Sequence, residues 1–472
     1  MKDNYRIKLD FNISNFIRII DGTVNSAIKE NKCVLSLDTR NLQQGDLFLA
    51  IKGNYSDGHI YIDQAFKEGA SAAIISNIEL FKRSDSPLIY VEDTYDALCK
   101  IAKYIRVRSK ALRIAITGSV GKTTTKSYLA NILSKYENTY SSPESFNNKW
   151  GVPISLAKIN NKAKYALFEV GMNRVNEIEP LSELVIPDVS IITNIGEAHI
   201  GNLGSMKTIA IEKSNIMKGM SKDSTAILPH DSKYFNLIKD RFNKSEIKFI
   251  TFGKSNKSDI EMLPIIKDKN NFILNFQVNG KSYKTISTKG NPSIFDNYMP
   301  VLAVANLLNL DLNDVLGRLE ELDGPDGRWQ EKNFEFNGGI VKLINDTYNA
   351  SPDSMYKAIK SVSEYNNNLI SRKIAIIGDM LELGVFKDKY HSKLIQLINS
   401  SNIDKVYFCG DILPSYFERI DKDKQVYSFK SVDDIQIKQH FDINRGDLIF
   451  LKGGNQIRLN KLVQDFINYL HL

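Results

Sequence analysis

The sequence predicts an α/β protein of three domains. These are a small α/β N-terminal domain over residues 1–108, a central domain with a mostly parallel sheet over 109–322, and a C-terminal, doubly wound (Rossmann-like) domain over 323–472. Three observations predict this. At 472 residues the chain is too long for one core. Short apolar runs alternate with helical patterns, the rhythm of parallel sheets covered on both faces. At "LDGPDGRWQ" (322–330) glycines and a proline crowd together, and the rhythm restarts beyond them.

In chain order, "DLFLAI" (46–51) reads as a strand, and "IYIDQAFKEGA" (60–70) has helical spacing and a glycine at its end. "SAAIIS" and "PLIYVE" read as buried strands, and "DALCKIAKYIRVR" (96–108) as an amphipathic helix. The central domain opens with the strand "LRIAIT" (112–117). "YALFEV" (165–170) and "DVSIITNI" (188–195) follow as further strands with helical stretches between them. Residues 245–290 alternate like antiparallel strands, with "NG" at 279–280 as a hairpin turn. Beyond the boundary, "IVKLIND", "KIAIIGD", "DKVYFCG" and "DLIFLKGG" read as strands, each followed by a helical pattern. Asp346, Asn349, Asp379 and Lys452 fall at strand ends, where doubly wound sheets place ligands.

Composition narrows the function classes. The chain carries 62 basic and 55 acidic residues, a net charge of +7. That mild bias suits an enzyme of anionic substrates. With no dense Lys/Arg block, nucleic acid is not expected as a partner. Cys33, Cys99 and Cys409 are dispersed, which argues against a zinc site or disulfide framework and fits a reducing compartment. The first residues lack the apolar core of a signal peptide, and no apolar run is long enough to span a bilayer. The expected location is cytoplasmic, without a membrane partner.

The chemistry concentrates at "AITGSVGKTTTKSYL" (115–129). A strand runs into Gly118, Ser119, Val120, Gly121, Lys122 and Thr123, and a helical pattern follows. This is a phosphate loop of the short form G-x-x-G-K-T-T. Its backbone N–H groups line an anion site at a helix N-terminus. Lys122 neutralises β/γ phosphates, and Thr123 or Thr124 offers a hydroxyl to Mg²⁺. Glu169 ends its strand as either a metal-side carboxylate or a solvated charge. His199 follows "SIITNI" as either a site residue or a hydrogen-bonded loop residue. Lys213 lies inside a helical pattern. "NKSD" (256–259) matches a guanine-specificity motif, but no D-x-x-G element stands between it and the loop. Adenine is therefore the expected base.

The short loop, "SLDTR" (36–40), "GDLFLAIKGNYSDGHIYIDQAFKEGASAAI" (45–74), "NNKWGVP" (147–153), "FEVGM" (168–172), "TNIGEAHIGNLGS" (193–205), "NDTYNASPDSM" (345–355) and "GDMLELG" (378–384), followed by His391, together resemble the Mur ligase family and most closely its MurF type. The resemblance runs the length of the chain. It implies ATP and Mg²⁺ as cofactors, with UDP-N-acetylmuramoyl-tripeptide and D-alanyl-D-alanine as substrates. By motif, it assigns Lys122 and Thr123 to phosphate and Mg²⁺, and Glu169 and His199 to metal. Lys213 would carry a carbamate and serve as a further metal-side group. Asn148, with Asn147, would face the γ-phosphate, and Asn297 would contact adenine. Arg328 would be the interdomain arginine and Asp346 the ribose aspartate. Thr39 and Arg40 would touch the UDP portion, and Asn349 the substrate in the C-terminal domain. The sequence departs from the family pattern at Asp296, Gly201, Asn215, Gly454 and Asn455.

The implied chemistry is amide formation through an acyl phosphate, which needs charge neutralisation and no side-chain nucleophile. Two alternatives stay open: an ATP-dependent amide ligase with another amine acceptor, and a non-catalytic nucleotide-binding regulator. A monomer is expected.

Overall fold

Three sheets organise the computed structural model, which describes residues 4–28, 33–53, 56–143, 146–269, 271–289 and 291–471. Asn54 and Tyr55, inside the 45–74 motif, lie outside the described residues.

The first sheet has six strands in the order Arg6–Leu9, Cys33–Ser36, Leu47–Leu49, Ala72–Ile75, Leu88–Tyr90, Thr23–Val24. Its four inner strands are parallel and its two edges antiparallel. The strands expected at 46–51, 71–76 and 87–92 are present in shortened form. The helix expected over 60–70 starts as a 3-10 turn at Gly58–Tyr61, where the Asp57 carboxylate accepts the His59 N–H, and is α-helical over Ile62–Lys67. Helix Thr94–Arg108 leans on the central domain. Its Tyr95 ring stands 4.8 Å from Trp150, and Arg106 donates to the Leu184 carbonyl at 2.6 Å.

The central sheet has ten strands. From Thr139–Ser141 it runs through Tyr165–Glu169, Leu112–Thr117, Val189–Ile192, Thr225–Pro229, Lys248–Gly253 and Ile260–Met262, all parallel. Only then does it turn antiparallel, through Asn271–Val278 with Ile266–Asp268 on one side and Lys281–Ser287 on the other. The antiparallel reading of 245–290 is thus corrected for its first two strands. Lys248–Gly253 and Ile260–Met262 extend the parallel sheet, and they alternate because they are only partly covered. The turn at Asn279–Gly280 is as expected, with φ of 49° and 76°, the two left-handed residues of a tight hairpin.

The third sheet orders Gln330–Phe336, Gly339–Asp346, Asp447–Lys452, Arg372–Gly378, Lys405–Cys409 and Gln425–Phe429, parallel except for its first pair. Helices Pro352–Glu364, Lys387–Asn399 and Leu459–Leu470 follow three of its strands as expected. The helix expected after "DKVYFCG" is instead a 3-10 segment, Leu413–Arg419, with a proline in its first turn. The buried Asp379 carboxylate accepts the N–H groups of Asp411, Ile412 and Leu413, so that conspicuous strand-end residue serves the backbone. No described helix is long and apolar enough to cross a membrane.

Candidate active site

Strand Leu112–Thr117 lies between Tyr165–Glu169 and Val189–Ile192. All three are parallel, so the loops that leave them gather at one sheet edge. Gly121, at φ 87°, turns the chain into helix Lys122–Leu133. The room beside the loop glycines is already filled. A Cβ on Gly118 would lie 1.8 Å from Thr193 Oγ1, and one on Gly121 would lie 2.3 Å from Asn297 Oδ1. The loop is tied down by Val120 N–H to Asn194 Oδ1 (2.7 Å), Ser119 Oγ to the Gly196 carbonyl (2.8 Å) and Thr193 Oγ1 to the Val120 carbonyl (2.6 Å). Lys122 Nζ donates to the Gly118 carbonyl at 2.8 Å, which folds its ammonium over the loop.

Glu169 lies beneath the helix start, only 3% exposed. It accepts from Thr123 Oγ1 at 3.0 Å and from Asn147 Nδ2 at 2.8 Å, with Lys126 Nζ 3.9 Å away. Burial alone would raise its pKa. The Lys122 and Lys126 ammoniums and the Asn147 amide outweigh burial and hold it below the usual value. Lys126 is itself buried and donates to the Ser142 carbonyl (2.7 Å), Ser142 Oγ and the Pro143 carbonyl. The Thr123 hydroxyl beside an ionised Glu169 is a pair of hard oxygen donors at a helix N-terminus, so these residues fit Mg²⁺. Among the described residues no three His, Cys, Asp or Glu side chains cluster as a metal cage.

Lys213 is 1% exposed in helix Met206–Ser214, and its side chain makes no hydrogen bond or ion pair with a described residue. Burial, then the nearby Lys122 charge, push its pKa well below the ordinary value. Its neighbour Glu212 is occupied elsewhere, accepting the N–H groups of Asn176, Glu177 and Ile178. Asn215 bridges Glu212 and Arg241.

Three cavities collect the remaining residues. A 260 Å³ cavity between the second and third sheets is lined by Gly121, Thr124, Asn297, Arg328, Asp346 and Lys452. There the Arg328 guanidinium stands 4.1 Å over the Tyr348 ring, and its Nε is buried without a hydrogen-bond partner among the described residues. Asp346 Oδ2 accepts from Lys452 Nζ at 2.7 Å, and Lys452 also donates to the Asn349 carbonyl. Asp296 binds Lys254 at 2.9 Å and Lys357 at 3.0 Å. A 780 Å³ cleft between the first and second sheets is lined by Thr39, Arg40, Tyr61, Phe146, Asn148 and Trp150. A 200 Å³ cavity is lined by His199, Tyr348, Asn349, Glu382, Gly454 and Asn455.

The loop residues Gly118 to Thr124, Glu169, Asn297, Arg328 and Asp346 therefore gather around the phosphate loop and the first cavity. Asn148 sits apart from Glu169. Its Oδ1 accepts the N–H groups of Trp150 and Gly151 at the start of helix Gly151–Ala157, and Asn147 holds the carboxylate instead. His199 and Asn349 share the third cavity, where His199 Nδ1 is 2.5 Å from Glu382 Oε2. Sequence reasoning missed Lys126, although its spacing of four from Lys122 in "GKTTTK" put both on one helix face. It also missed Thr193, Asn194 and Glu382, whose parts depend on contacts distant in sequence.

The chain matches the Mur ligase family's catalytic domain over residues 34–106, the Mur ligase middle domain over 116–309, and the Mur ligase glutamate ligase domain over 327–455. It is 33% identical to the UDP-N-acetylmuramoyl-tripeptide–D-alanyl-D-alanine ligase of Rickettsia prowazekii, over 91% of this chain and 94% of that one. It is 28% identical to the ligase of the same name from Bacillus subtilis, over 96% and 98%. A crystal structure of MurF from Acinetobacter baumannii superposes with a TM-score of 0.84 at 25% identity, covering 97% of this chain and 99% of that one.

Proposed function

The chain belongs to the Mur ligase family, and from that premise we infer that it joins D-alanyl-D-alanine to UDP-N-acetylmuramoyl-tripeptide, converting ATP to ADP and phosphate. It is a peptide ligase of cell-wall precursor synthesis, acting on nucleotide-linked substrates of the cytoplasm. The observation that carries this reading is the first cavity, with the phosphate loop as its floor and Asn297, Arg328 and Asp346 in its walls.

A carboxylate is a poor acceptor for an amine. Transfer of the γ-phosphoryl group to the tripeptide carboxylate makes an acyl phosphate and releases ADP. The amine of the dipeptide then attacks the carbonyl carbon, the C–O bond to phosphate breaks, and the amine's surplus proton passes to solvent. The loop N–H groups from Gly118 to Thr123 and the Lys122 ammonium bind and neutralise the phosphates. Thr123 and Glu169 would hold Mg²⁺, which when bound supplies charge neutralisation to the phosphate oxygens. Lys126 keeps Glu169 ionised. Asn297 contacts the base, Asp346 the ribose, and Arg328 the phosphates from the C-terminal side. Asn147, rather than Asn148, stands beside the γ-phosphate. Thr39 and Arg40 take the UDP portion, and His199 and Asn349 lie on the acceptor side.

Lys213 carries a carbamate in this reading. Its neutral amine attacks the carbon of CO₂, forming the N–C bond as one C=O electron pair moves to oxygen, and one N–H proton leaves to solvent, so the buried neutral amine becomes an anion. Deep burial and the nearby Lys122 charge, which outweigh the pull of Glu212, support this. Lys213→Arg keeps the charge but cannot form the carbamate. It should be nearly inactive, and a ¹³C carbamate resonance seen in wild-type protein under ¹³CO₂ should be absent. Substantial activity in Lys213→Arg, or no such resonance in wild type, rules the carbamate out.

The functional test is mass spectrometry of products formed from ATP, Mg²⁺, the UDP-tripeptide and a panel of amines. D-Alanyl-D-alanine should outperform L-alanyl-L-alanine and free D-alanine. Product only with another amine would favour an altered acceptor, because the departures Gly454 and Asn455 line the third cavity. Phosphate release independent of both substrates would favour a regulator.

A further inference from the structure

Segment 196–201, "GEAHIG", is where the third-sheet domain lands on the central one. A Cβ on Gly196 would lie 1.8 Å from Asp353 Oδ2, and the Asp353 carboxylate accepts the Glu197 N–H at 3.0 Å. A Cβ on Gly201 would lie 2.5 Å from the Glu382 carbonyl oxygen, Gly384 N and the Leu383 carbonyl carbon. Those are backbone atoms and cannot rotate away. Gly201 N–H donates to the Glu382 carbonyl at 3.1 Å. Neither glycine has a positive φ, and at Gly201 the three nearest atoms all belong to the C-terminal domain, so the central domain by itself would accept alanine there. The demand for glycine comes from the docked neighbour.

Between these glycines stands His199, at φ 64°, with its Nδ1 2.5 Å from Glu382 Oε2. Glu382 is also left-handed, at φ 61°, and its loop is pinned from behind, where the Met380 N–H donates to His391 Nε2. His391 Nδ1 faces the Lys387 carbonyl at 2.8 Å and must donate to it, which leaves Nε2 as the acceptor. Two strained residues from different domains are thus held face to face by a seat that admits no side chain at Gly201.

We propose that Glu382 is a positioning residue for His199 that acts across the domain boundary. With the C-terminal domain seated on Gly201, its carboxylate accepts the Nδ1 proton and fixes the lone pair on Nε2. An ionised carboxylate can only accept, so of the ring's two tautomers only the Nδ1–H form makes this bond. When the domain lifts away, that lock is lost. His199 is therefore set for its task only in the docked molecule. This rests on the reading of His199 as a site residue.

The test uses full-length protein labelled with ¹⁵N-histidine. The chain has six histidines, and the His199 signal is the one lost in His199→Gln. Wild type should show the Nδ1–H tautomer. Glu382→Ala, by removing the carboxylate, and Gly201→Ala, by lifting the seat, should both shift the ring to a mixture of tautomers. Each should lower kcat by about 10–100-fold. In Glu382→Ala the KM for ATP should stay near wild type, and Glu382→Asp should recover part of both effects. A tautomer mixture in wild type, or an unchanged His199 signal in Glu382→Ala, overturns the proposal. Full turnover by His199→Gln would instead overturn the reading of His199 itself, while the ring signals would still decide what Glu382 does.

Discussion

Replacing Lys126 with methionine tests the charge arrangement around Glu169. Methionine keeps the length and apolar stem of the side chain and removes the ammonium. Two carbonyls and a hydroxyl lose their donor, and Glu169 Oε2 loses a cation 3.9 Å away. At that separation and an effective dielectric of about 20, the Coulomb attraction is about 4 kcal/mol. Relief of the lysine's own desolvation returns part of it, and Lys122 still faces Glu169, so the loss falls at the lower end of the about 3–5 kcal/mol that breaking a buried pair costs. A net loss of about 3 kcal/mol follows, which lowers the Tm of a domain of about 200 residues by roughly 6–12 °C. Differential scanning calorimetry of the whole chain, without nucleotide or Mg²⁺, reads it as the shift of the central-domain transition. The pH dependence has a definite sign. The folded pKa of Glu169 is depressed below 4.5, so its contribution is present above the unfolded value and is lost as pH falls through the folded one. Without Lys126 the folded pKa rises, and acid destabilisation begins at higher pH. A Tm within about 2 °C of wild type, with an unchanged acid limb, would refute the buried-ion argument.

Lys122→Ala should keep the fold and lower turnover by about 10²–10³-fold or more, since it strips phosphate neutralisation from the loop; near-normal ligase rates would remove the loop from the mechanism. ATP should support turnover better than GTP, because Asn297 lines the cavity while "NKSD" sits in the turn after Lys248–Gly253; equal rates at matched concentrations would contradict this. The folded pKa of Glu197 is raised by burial and then by Asp353, so its effect on stability turns unfavourable as pH rises from about 4.5 through the folded value. Glu197→Gln should therefore raise Tm at pH 8 and change it little at pH 4, and a uniform change across pH would point to packing instead.

The phosphate loop was legible because strand, glycines, lysine and helix are contiguous, so local rules sufficed. Glu169 was legible as a strand-end carboxylate, but its partners were not. Thr123 and Lys126, from helix Lys122–Leu133, and Asn147, from a separate loop, reach it only because the parallel register of Leu112–Thr117 against Tyr165–Glu169 brings them together. Asn148 and Asn147 are adjacent in sequence yet take different partners, a distinction set by the start of helix Gly151–Ala157, which Asn148 caps while Asn147 holds Glu169. Gly201, seen in sequence only as a departure from a pattern, acquires a cause once the loop 382–384 is seen resting on it. The strands Lys248–Gly253 and Ile260–Met262 were read with the wrong direction because alternation reports how a strand is covered and says nothing of its neighbour's polarity.

The space beside Gly121 is filled by Asn297, and the cavity above it is closed by Arg328, Asp346 and Lys452, the last about 330 residues downstream. On the ribosome the phosphate loop emerges tens of seconds before that final lysine, at roughly 5–20 residues per second. Through that interval the nascent chain holds a loop able to form locally but no walls to enclose a nucleotide. A chain cut short before its last strand lacks Lys452 and cannot complete the enclosure.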